Sequence, residues 1–166
     1  MDKNPFEILN IEPKPILDLA ALRKSYIQLQ KNGHPDLGND PEISEWANQA
    51  YSLLKSDESR MSQILKHYGT WPPNTNLIGM DFLMEAMELS EEIDNIKENS
   101  DRVRIEGAIH ALINGLDNQL MEIHGKTENK SDWYLNEEMM NEVSIWYQRR
   151  RYLTRLEKNL KGEHEL

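Results

Sequence analysis

Hydrophobic residues recur at helical spacing along almost the whole chain. Leu22, Tyr26 and Leu29, for example, are separated by four and then three positions, so they share one face of a helix. Alternating polar and apolar runs, which would indicate strands, are almost absent. The pattern predicts an all-α fold.

One segment interrupts the helical pattern. "GTWPPNTN" (69–76) contains adjacent prolines, which disfavour helix in the residue before each of them, and polar residues that suit a linker. We therefore predict an N-terminal domain over 1–69, a linker over 70–78 and a C-terminal domain over 79–166.

Four helices are predicted before the linker. The first is short and lies near Phe6, and the second starts at Asp18, a suitable N-cap. The third follows Asp40 and has proline at its first position, and the fourth runs from near Ser56 to Gly69. The residues predicted to face inward on the last two helices are Ile43, Ala47, Ala50, Leu54, Met61, Ile64, Leu65 and Tyr68.

Three longer helices are predicted after the linker. Their inward stripes begin at Phe82, Ile105 and Leu135. We expect the first helix to end around "ENSD" (98–101) and the second to end at Gly125. Short connections between amphipathic helices predict an antiparallel three-helix bundle.

Composition limits the functions that the chain can have. The 166 residues are 38% hydrophobic and carry a net charge of −10, which disfavours nucleic acid and anionic membrane as partners. No apolar run approaches a membrane span, and the N-terminus resembles neither a signal peptide nor a transit sequence, so a cytoplasmic protein is expected. The absence of cysteine excludes disulfides, thiolate nucleophiles and Cys-based zinc sites.

The residues do not form a catalytic or cofactor-binding pattern. His110 and His124 are separated by 14 positions, about 21 Å along one helix, which is too far to share a metal. No Glu-x-x-His pair, P-loop, GxGxxG or Gly-x-Ser-x-Gly is present. "YQRRRY" (147–152) is interpreted as a solvated helix face rather than a nucleic-acid patch. We predict a protein that is not an enzyme and has no metal or cofactor.

A His-Pro-Asp triplet occupies the turn "LQKNGHPDLGND" (29–40). Pro35 fixes its own φ and biases His34 towards extended backbone, so Asp36 is presented on a stiff loop. Such a carboxylate suits a charge-assisted bond to a partner's arginine. Lys24 and Lys31 lie about 20° apart around the preceding helix and share an exposed face. The alternative is an ordinary turn with solvated lysines.

The residues that follow the triplet make the pattern more specific. "WANQAYSLLKSDESR" (46–60) contains an Asn-x-Ala-Tyr helix and an Asp-x-x-Arg turn, and the whole layout resembles a J-domain. J-domains bind DnaK-class chaperone ATPases and stimulate ATP hydrolysis. The resemblance implies the following chaperone contacts: His34, Pro35, Asp36, with Arg23, Lys24 and Lys31 as steering charges. Leu37 stands where the family usually has Lys or Arg. A helical adaptor with a degenerate J-domain therefore remains an alternative function.

The first helix of the C-terminal domain has apolar residues on two faces. In "DFLMEAMELSEEIDNI" (81–96), the side opposite the inward stripe carries Leu83, Met84, Met87, Glu88, Glu91 and Asn95. An apolar outer face flanked by acids indicates a binding surface for a basic partner. The alternatives are a helix covered on both faces and scattered surface apolar residues.

"FLMEAMELSEEID" (82–94) resembles the signature of HscB-type co-chaperones of iron–sulfur cluster assembly. That family joins a J-domain to a C-terminal three-helix bundle, binds the cluster scaffold protein and delivers it to a HscA/DnaK-class chaperone. The resemblance implies these scaffold contacts: Leu83, Met84, Met87, Glu88, Glu91, Asn95 and Tyr152. Asn95 replaces a usually acidic residue. A bacterial cytoplasmic co-chaperone is expected, and a general J-domain co-chaperone with a different client remains the closest alternative.

Overall fold

The computed structural model describes residues 3–32 and 41–163, and every regular element within those ranges is helical, so the predicted all-α fold is confirmed. The helices in chain order are α1 (Pro5–Ile8), α2 (Leu19–Asn32), α3 (Pro41–Leu54), α4 (Asp57–Tyr68), α5 (Met80–Asp94), α6 (Asn99–Thr127) and α7 (Glu137–Lys161). Short 3₁₀ turns at Thr75–Leu77 and Trp133–Leu135 precede α5 and α7.

Side-chain caps fix where several helices begin. Asp18 accepts hydrogen bonds from the backbone N–H groups of Ala20 and Ala21 at the start of α2. Ser56 caps α4, and Asn136 caps α7 by accepting from the Met139 N–H. Each cap satisfies an N–H group that has no partner within its own helix. The starts predicted from Asp18 and Ser56 are confirmed.

Helices α2 and α3 pack as an antiparallel pair. Gln30 Nε2 donates to the Ser44 carbonyl at 3.0 Å, while Tyr26, one turn earlier, stacks on Tyr51 with ring centroids 4.6 Å apart. The contact partners on α3 come later in the chain as those on α2 come earlier. The two helices therefore run in opposite directions. The buried Leu22 side chain faces the core beneath this pair. The 33–40 segment connects the two helices.

Helices α5, α6 and α7 form the predicted bundle. Arg102 near the start of α6 donates to the Leu160 carbonyl near the end of α7, and Trp146 Nε1 donates to the Leu116 carbonyl at 2.8 Å. These pairings show that α6 and α7 are antiparallel. Arg104 of α6 forms an ion pair with Glu92 of α5. The bundle core comes from inward stripes of all three helices.

The N-terminal helices pack directly on the bundle. Trp133 Nε1 donates to the Pro13 carbonyl at 3.0 Å, and Thr154 Oγ1 on α7 donates to Glu58 on α4 at 2.7 Å. The Tyr68 ring at the end of α4 lies 4.6 Å from that of Tyr134. Buried residues from both sides of the predicted linker belong to one hydrophobic cluster. The N-terminal helices are therefore held against the bundle by a shared core, with the contacts made by α4 and by the segment before α2.

Three details of the predicted helices are wrong. Helix α5 ends at Asp94, and the "ENSD" residues instead begin α6 through a capping box between Glu98 and Asp101. Helix α6 continues past Gly125 to Thr127 because the Thr127 side chain is buried and bonds back to the helix. Leu135 is not in the inward stripe: it lies in the 3₁₀ turn before α7 and is 76% exposed.

We expect Trp133→Phe to lower the free energy of unfolding by about 1–3 kcal/mol, because the Pro13 carbonyl loses its donor at a partly buried junction. Urea unfolding followed by circular dichroism measures the change. Trp71→Phe is the matched control, since Trp71 is 40% exposed and its replacement should change stability by less than about 0.5 kcal/mol. Equal losses in the two variants would contradict the role assigned to the Trp133 bond.

Candidate functional site

The predicted triplet His34, Pro35 and Asp36 lies outside the described residues, as does Leu37. The helices on either side of it are described. α2 ends at Asn32 and α3 begins at Pro41. The predicted steering charges Arg23, Lys24 and Lys31 lie on α2, and their side chains are exposed. The cationic surface of α2 thus leads towards the loop that carries the triplet.

The Asn-x-Ala-Tyr motif braces the two helices that flank this loop. Asn48 Oδ1 accepts from the Tyr26 hydroxyl and from Gln30 Nε2, each at 2.9 Å. Ala50 is buried against the core, and Tyr51 stacks on Tyr26. The motif residues therefore fix the spacing of α2 and α3, and with it the separation of the loop's two ends.

The Asp-x-x-Arg turn has a structural role of its own. Arg60 is 1% exposed, and its guanidinium donates to the Pro15 carbonyl at 2.8 Å and to the Leu54 carbonyl at 2.9 Å. A third bond goes to the Asp57 carboxylate. Burial lowers the pKa of Arg60 from its usual value, and the Asp57 carboxylate opposes that shift. The arginine ties α4 both to the end of α3 and to the segment before α2.

The outer face of α5 carries exposed methionines. Met84 and Met87, both predicted as scaffold contacts, are each 56% exposed, and Met80 at the start of the helix is 70% exposed. Met80 precedes Met87 by seven residues, which places the two about 20° apart around the helix. We call Met80, Leu83, Met84 and Met87 the α5 patch. Met80 is absent from the contacts predicted above, although its spacing from Met87 could have indicated it.

Polar residues of the predicted site border the α5 patch. Glu88 and Glu91 are exposed on the following turns of α5. Asn95 follows the last residue of the helix, and its side-chain amide donates to the Glu91 carbonyl at 2.7 Å. That bond fastens the helix end, so Asn95 has less hydrogen-bonding capacity left for a partner than a solvated side chain would have.

Leu83 differs from the methionines of the α5 patch. Its side chain is half-buried and packs against the core, so the expectation that it faces wholly outward is correct only in part. Leu83 contributes to a groove of about 410 Å³ between α5, α7 and the segment before α5. The groove is lined by Pro72, Pro73, Thr75, Ile78, Leu83, Tyr147, Gln148, Arg151, Tyr152 and Arg155.

Tyr152 is held at the edge of the same surface. Its ring meets that of Phe82 edge-on with centroids 6.2 Å apart, and the Arg155 guanidinium lies 4.8 Å from the Tyr152 ring centroid. The Tyr152 side chain remains partly exposed. Its aromatic surface therefore extends the α5 patch across the groove onto α7.

The basic run at 147–152 does not form a single charged surface. Arg149 Nε donates to the Ile78 carbonyl at 2.9 Å, and Arg150 pairs with Glu157. Arg151 is exposed at the groove.

Within the part of the chain that the structure describes, no group of three or more His, Cys, Asp or Glu residues is placed to hold a metal ion. None of the helices in 3–32 and 41–163 has both the length and the hydropathy of a membrane span.

A helical hairpin with a cationic outer helix, joined through α4 to a three-helix bundle with an exposed apolar patch, is the architecture of a two-part J-domain co-chaperone. Residues 79–161 match the family described as the HSCB C-terminal oligomerisation domain. The chain is 30% identical to the co-chaperone protein HscB homolog of Vibrio vulnificus strain CMCP6, over 78% of this chain and 82% of the relative. The chain belongs to the HscB family of co-chaperones.

A second relative carries the same family name, and two solved structures share the fold. The co-chaperone protein HscB homolog of Haemophilus ducreyi is 24% identical over 93% of this chain and 91% of its own length. The crystal structure of human co-chaperone protein HscB matches the fold with a TM-score of 0.72 at 22% identity, covering 98% of this chain and 82% of that one. Chaperone HscB from Vibrio cholerae matches with a TM-score of 0.56 at 22% identity, covering 95% and 99%.

Proposed function

We propose that this chain binds an iron–sulfur cluster scaffold protein through its C-terminal bundle and stimulates the ATPase of a HscA/DnaK-class chaperone through its His-Pro-Asp loop. It acts in the bacterial cytoplasm, performs no bond-breaking chemistry itself and assists cluster assembly and transfer. The single observation that carries the proposal is the exposure of Met84 and Met87 on α5, at 56% each, in a chain that belongs to the HscB family.

The composition of the α5 patch supports a protein partner. Methionine side chains are flexible and polarizable, so they adapt to the shape of an apolar surface. Contiguous exposed apolar side chains with a polar border are typical of interaction sites. We assign the scaffold contacts to Leu83, Met84, Met87, Glu88, Glu91, Asn95 and Tyr152, and we add Met80, which lies on the same face of α5.

The charges beside the patch favour a basic scaffold surface. Glu88 and Glu91 are exposed next to the methionines, and the chain as a whole carries a net charge of −10. Complementary charge speeds association and sets orientation, whereas burial of the methionines supplies most of the affinity. We therefore expect scaffold association to slow as ionic strength rises while dissociation changes little.

The N-terminal half presents the opposite charge to the chaperone. Arg23, Lys24 and Lys31 are exposed on α2, which leads to the loop containing Asp36. This cationic helix suits an acidic groove on the chaperone, and the Asp36 carboxylate suits an arginine beside that groove. The two binding surfaces thus attract partners of opposite charge, which reduces competition between them.

Recruitment follows from joining the two surfaces in one body. The bundle holds the scaffold while the hairpin docks on the chaperone, so the scaffold meets the chaperone at a raised local concentration. The shared core keeps the two surfaces in one orientation, with Trp133 bonded to Pro13 and Thr154 bonded to Glu58. A fixed geometry avoids the loss of effective concentration that a long flexible tether would cause.

We expect Asp36→Asn to weaken chaperone binding by about 10- to 150-fold, equal to roughly 1.5–3 kcal/mol, because the substitution removes one charge-assisted bond. Stimulation of the chaperone ATPase at a subsaturating concentration should fall accordingly, while scaffold binding stays at the wild-type level. Steady-state ATPase assays and scaffold titrations measure the two effects. Asp117→Asn, at an exposed position on α6, is the control and should leave both activities unchanged. Full stimulation by Asp36→Asn would refute the assignment of the loop.

A further inference from the structure

Methionine thioethers are the only sulfur chemistry in this chain, which has eight methionines and no cysteine. The described methionines divide sharply by exposure. Met61, Met139 and Met140 are buried, at 0%, 8% and 9% exposed. The exposed ones, at 56–70%, are Met80, Met84, Met87 and Met121. An oxidant in solution therefore reaches a particular subset of the sulfurs.

Most of that accessible subset lies on a single surface. Met80, Met84 and Met87 all fall within about 60° of one another around α5. Met121 lies apart from them on α6. The clustering means that the same oxidant can change several neighbouring side chains of one binding face, while the buried methionines of the core are protected.

We propose that Met80, Met84 and Met87 form an oxidation-sensitive site at which peroxide converts the α5 patch from apolar to polar and so releases the scaffold. This inference rests on the function proposed above and assigns a regulation to the same surface. It makes delivery of the scaffold responsive to peroxide although the chain contains no cysteine.

The chemistry balances for each side chain. The thioether sulfur attacks one oxygen of hydrogen peroxide, the O–O bond breaks, and an S–O bond forms. The sulfur is oxidised by two electrons to the sulfoxide, while the second oxygen leaves as water by taking up the proton that the sulfur-bound oxygen loses. In the reverse direction a methionine sulfoxide reductase, supplied with two thiols, removes the oxygen as water and the thiols become a disulfide.

The sulfoxide acts against binding for two physical reasons. Its oxygen is a strong hydrogen-bond acceptor, which must lose water when an apolar partner surface covers it. It also carries partial negative charge beside Glu88 and Glu91, both exposed on the same helix. Because the exposed methionines contribute little to the core, oxidation should lower affinity without unfolding the chain.

The test is to treat the full chain with hydrogen peroxide, locate the sulfoxides by peptide mass spectrometry, and titrate purified scaffold before and after treatment. We expect oxidation at Met80, Met84, Met87 and Met121 before Met61, Met139 or Met140. The scaffold Kd should rise about 10- to 100-fold. Incubation with sulfoxide reductases and a thiol should restore it, and circular dichroism should show the same thermal midpoint throughout.

Two variants identify the sulfurs responsible. The first is the triple variant Met80→Leu, Met84→Leu, Met87→Leu. Whatever its starting affinity, the ratio of its scaffold Kd after peroxide treatment to its Kd before treatment should stay near one. Met121→Leu should show the same rise as the unmodified chain. An unchanged Kd in fully oxidised chain, or the same rise in the triple variant, would overturn the inference while leaving the proposed function standing. Failure of the unoxidised chain to bind the scaffold would instead overturn the proposed function, and the inference with it.

Discussion

Replacing Met84 and Met87 together with alanine is expected to weaken scaffold binding by about 30- to 1,000-fold, equal to roughly 2–4 kcal/mol. Each side chain is 56% exposed in the free protein, so its thioether and methylenes are available for burial by a partner. Truncation removes that apolar area from the interface and leaves the fold almost untouched. Biolayer interferometry with immobilised scaffold measures the change, and chaperone stimulation in the absence of scaffold should stay at the wild-type level.

Val103→Ala with Met121→Ala provides a matched control for this pair. Val103 and Met121 are 59% and 62% exposed on α6, so the control removes comparable surface hydrophobicity outside the α5 patch. It should leave scaffold binding unchanged. If the two double variants lost affinity equally, general surface hydrophobicity and not the α5 patch would account for binding. Leu83 is omitted from the pair because its partial burial would mix a loss of stability with a loss of affinity.

Arg60→Met is expected to lower the free energy of unfolding by about 2–5 kcal/mol, because the carbonyl oxygens of Pro15 and Leu54 lose their donors inside the protein. The substitution keeps a long unbranched side chain, so the lost bonds dominate over lost volume. Urea unfolding monitored by tryptophan fluorescence gives the difference.

Arg104→Met is the comparison for the buried arginine. Arg104 pairs with Glu92, but its side chain is 59% exposed, and such surface pairs contribute between zero and about 1 kcal/mol. A much larger loss for Arg60→Met than for Arg104→Met is the expected result. Similar losses in the two variants would show that the bonds of Arg60 add little to the stability of the folded protein.

The elements that the sequence predicted well are those governed by local chemistry. Asp18 and Ser56 begin helices because their short polar side chains satisfy free N–H groups next to them in the chain. Ala47, Ala50 and Leu54 are buried as expected because helical spacing places them on one face. These features depend on residues within a turn or two of each other, so a sequence pattern contains the information needed.

The features that the sequence did not predict depend on distant contacts. Gly125 was expected to end α6, yet burial of Thr127 continues the helix beyond it. The bond from Trp133 to Pro13 joins residues 120 positions apart. No local periodicity encodes such a pairing. The packing of the N-terminal helices on the bundle could therefore be found only from the folded chain.

The binding site was predicted unevenly for the same reason. The exposure of Met84 and Met87 follows from their angular distance from the Phe82 stripe, which the sequence alone provides. The partial burial of Leu83 depends on the groove formed with α7 and the segment before α5. The bond that Asn95 makes to the Glu91 carbonyl depends on α5 ending at Asp94, one turn earlier than predicted.

The most direct measurement is calorimetric titration of the full chain with a purified iron–sulfur cluster scaffold protein. We expect saturable binding of one scaffold per chain, with a negative heat-capacity change because the methionines of the α5 patch become buried. Binding should disappear in Met84→Ala with Met87→Ala and persist in Val103→Ala with Met121→Ala. That result would establish the α5 patch as the scaffold-binding surface. No saturable heat, or undiminished binding by the Met84 and Met87 variant, would contradict a scaffold site on α5.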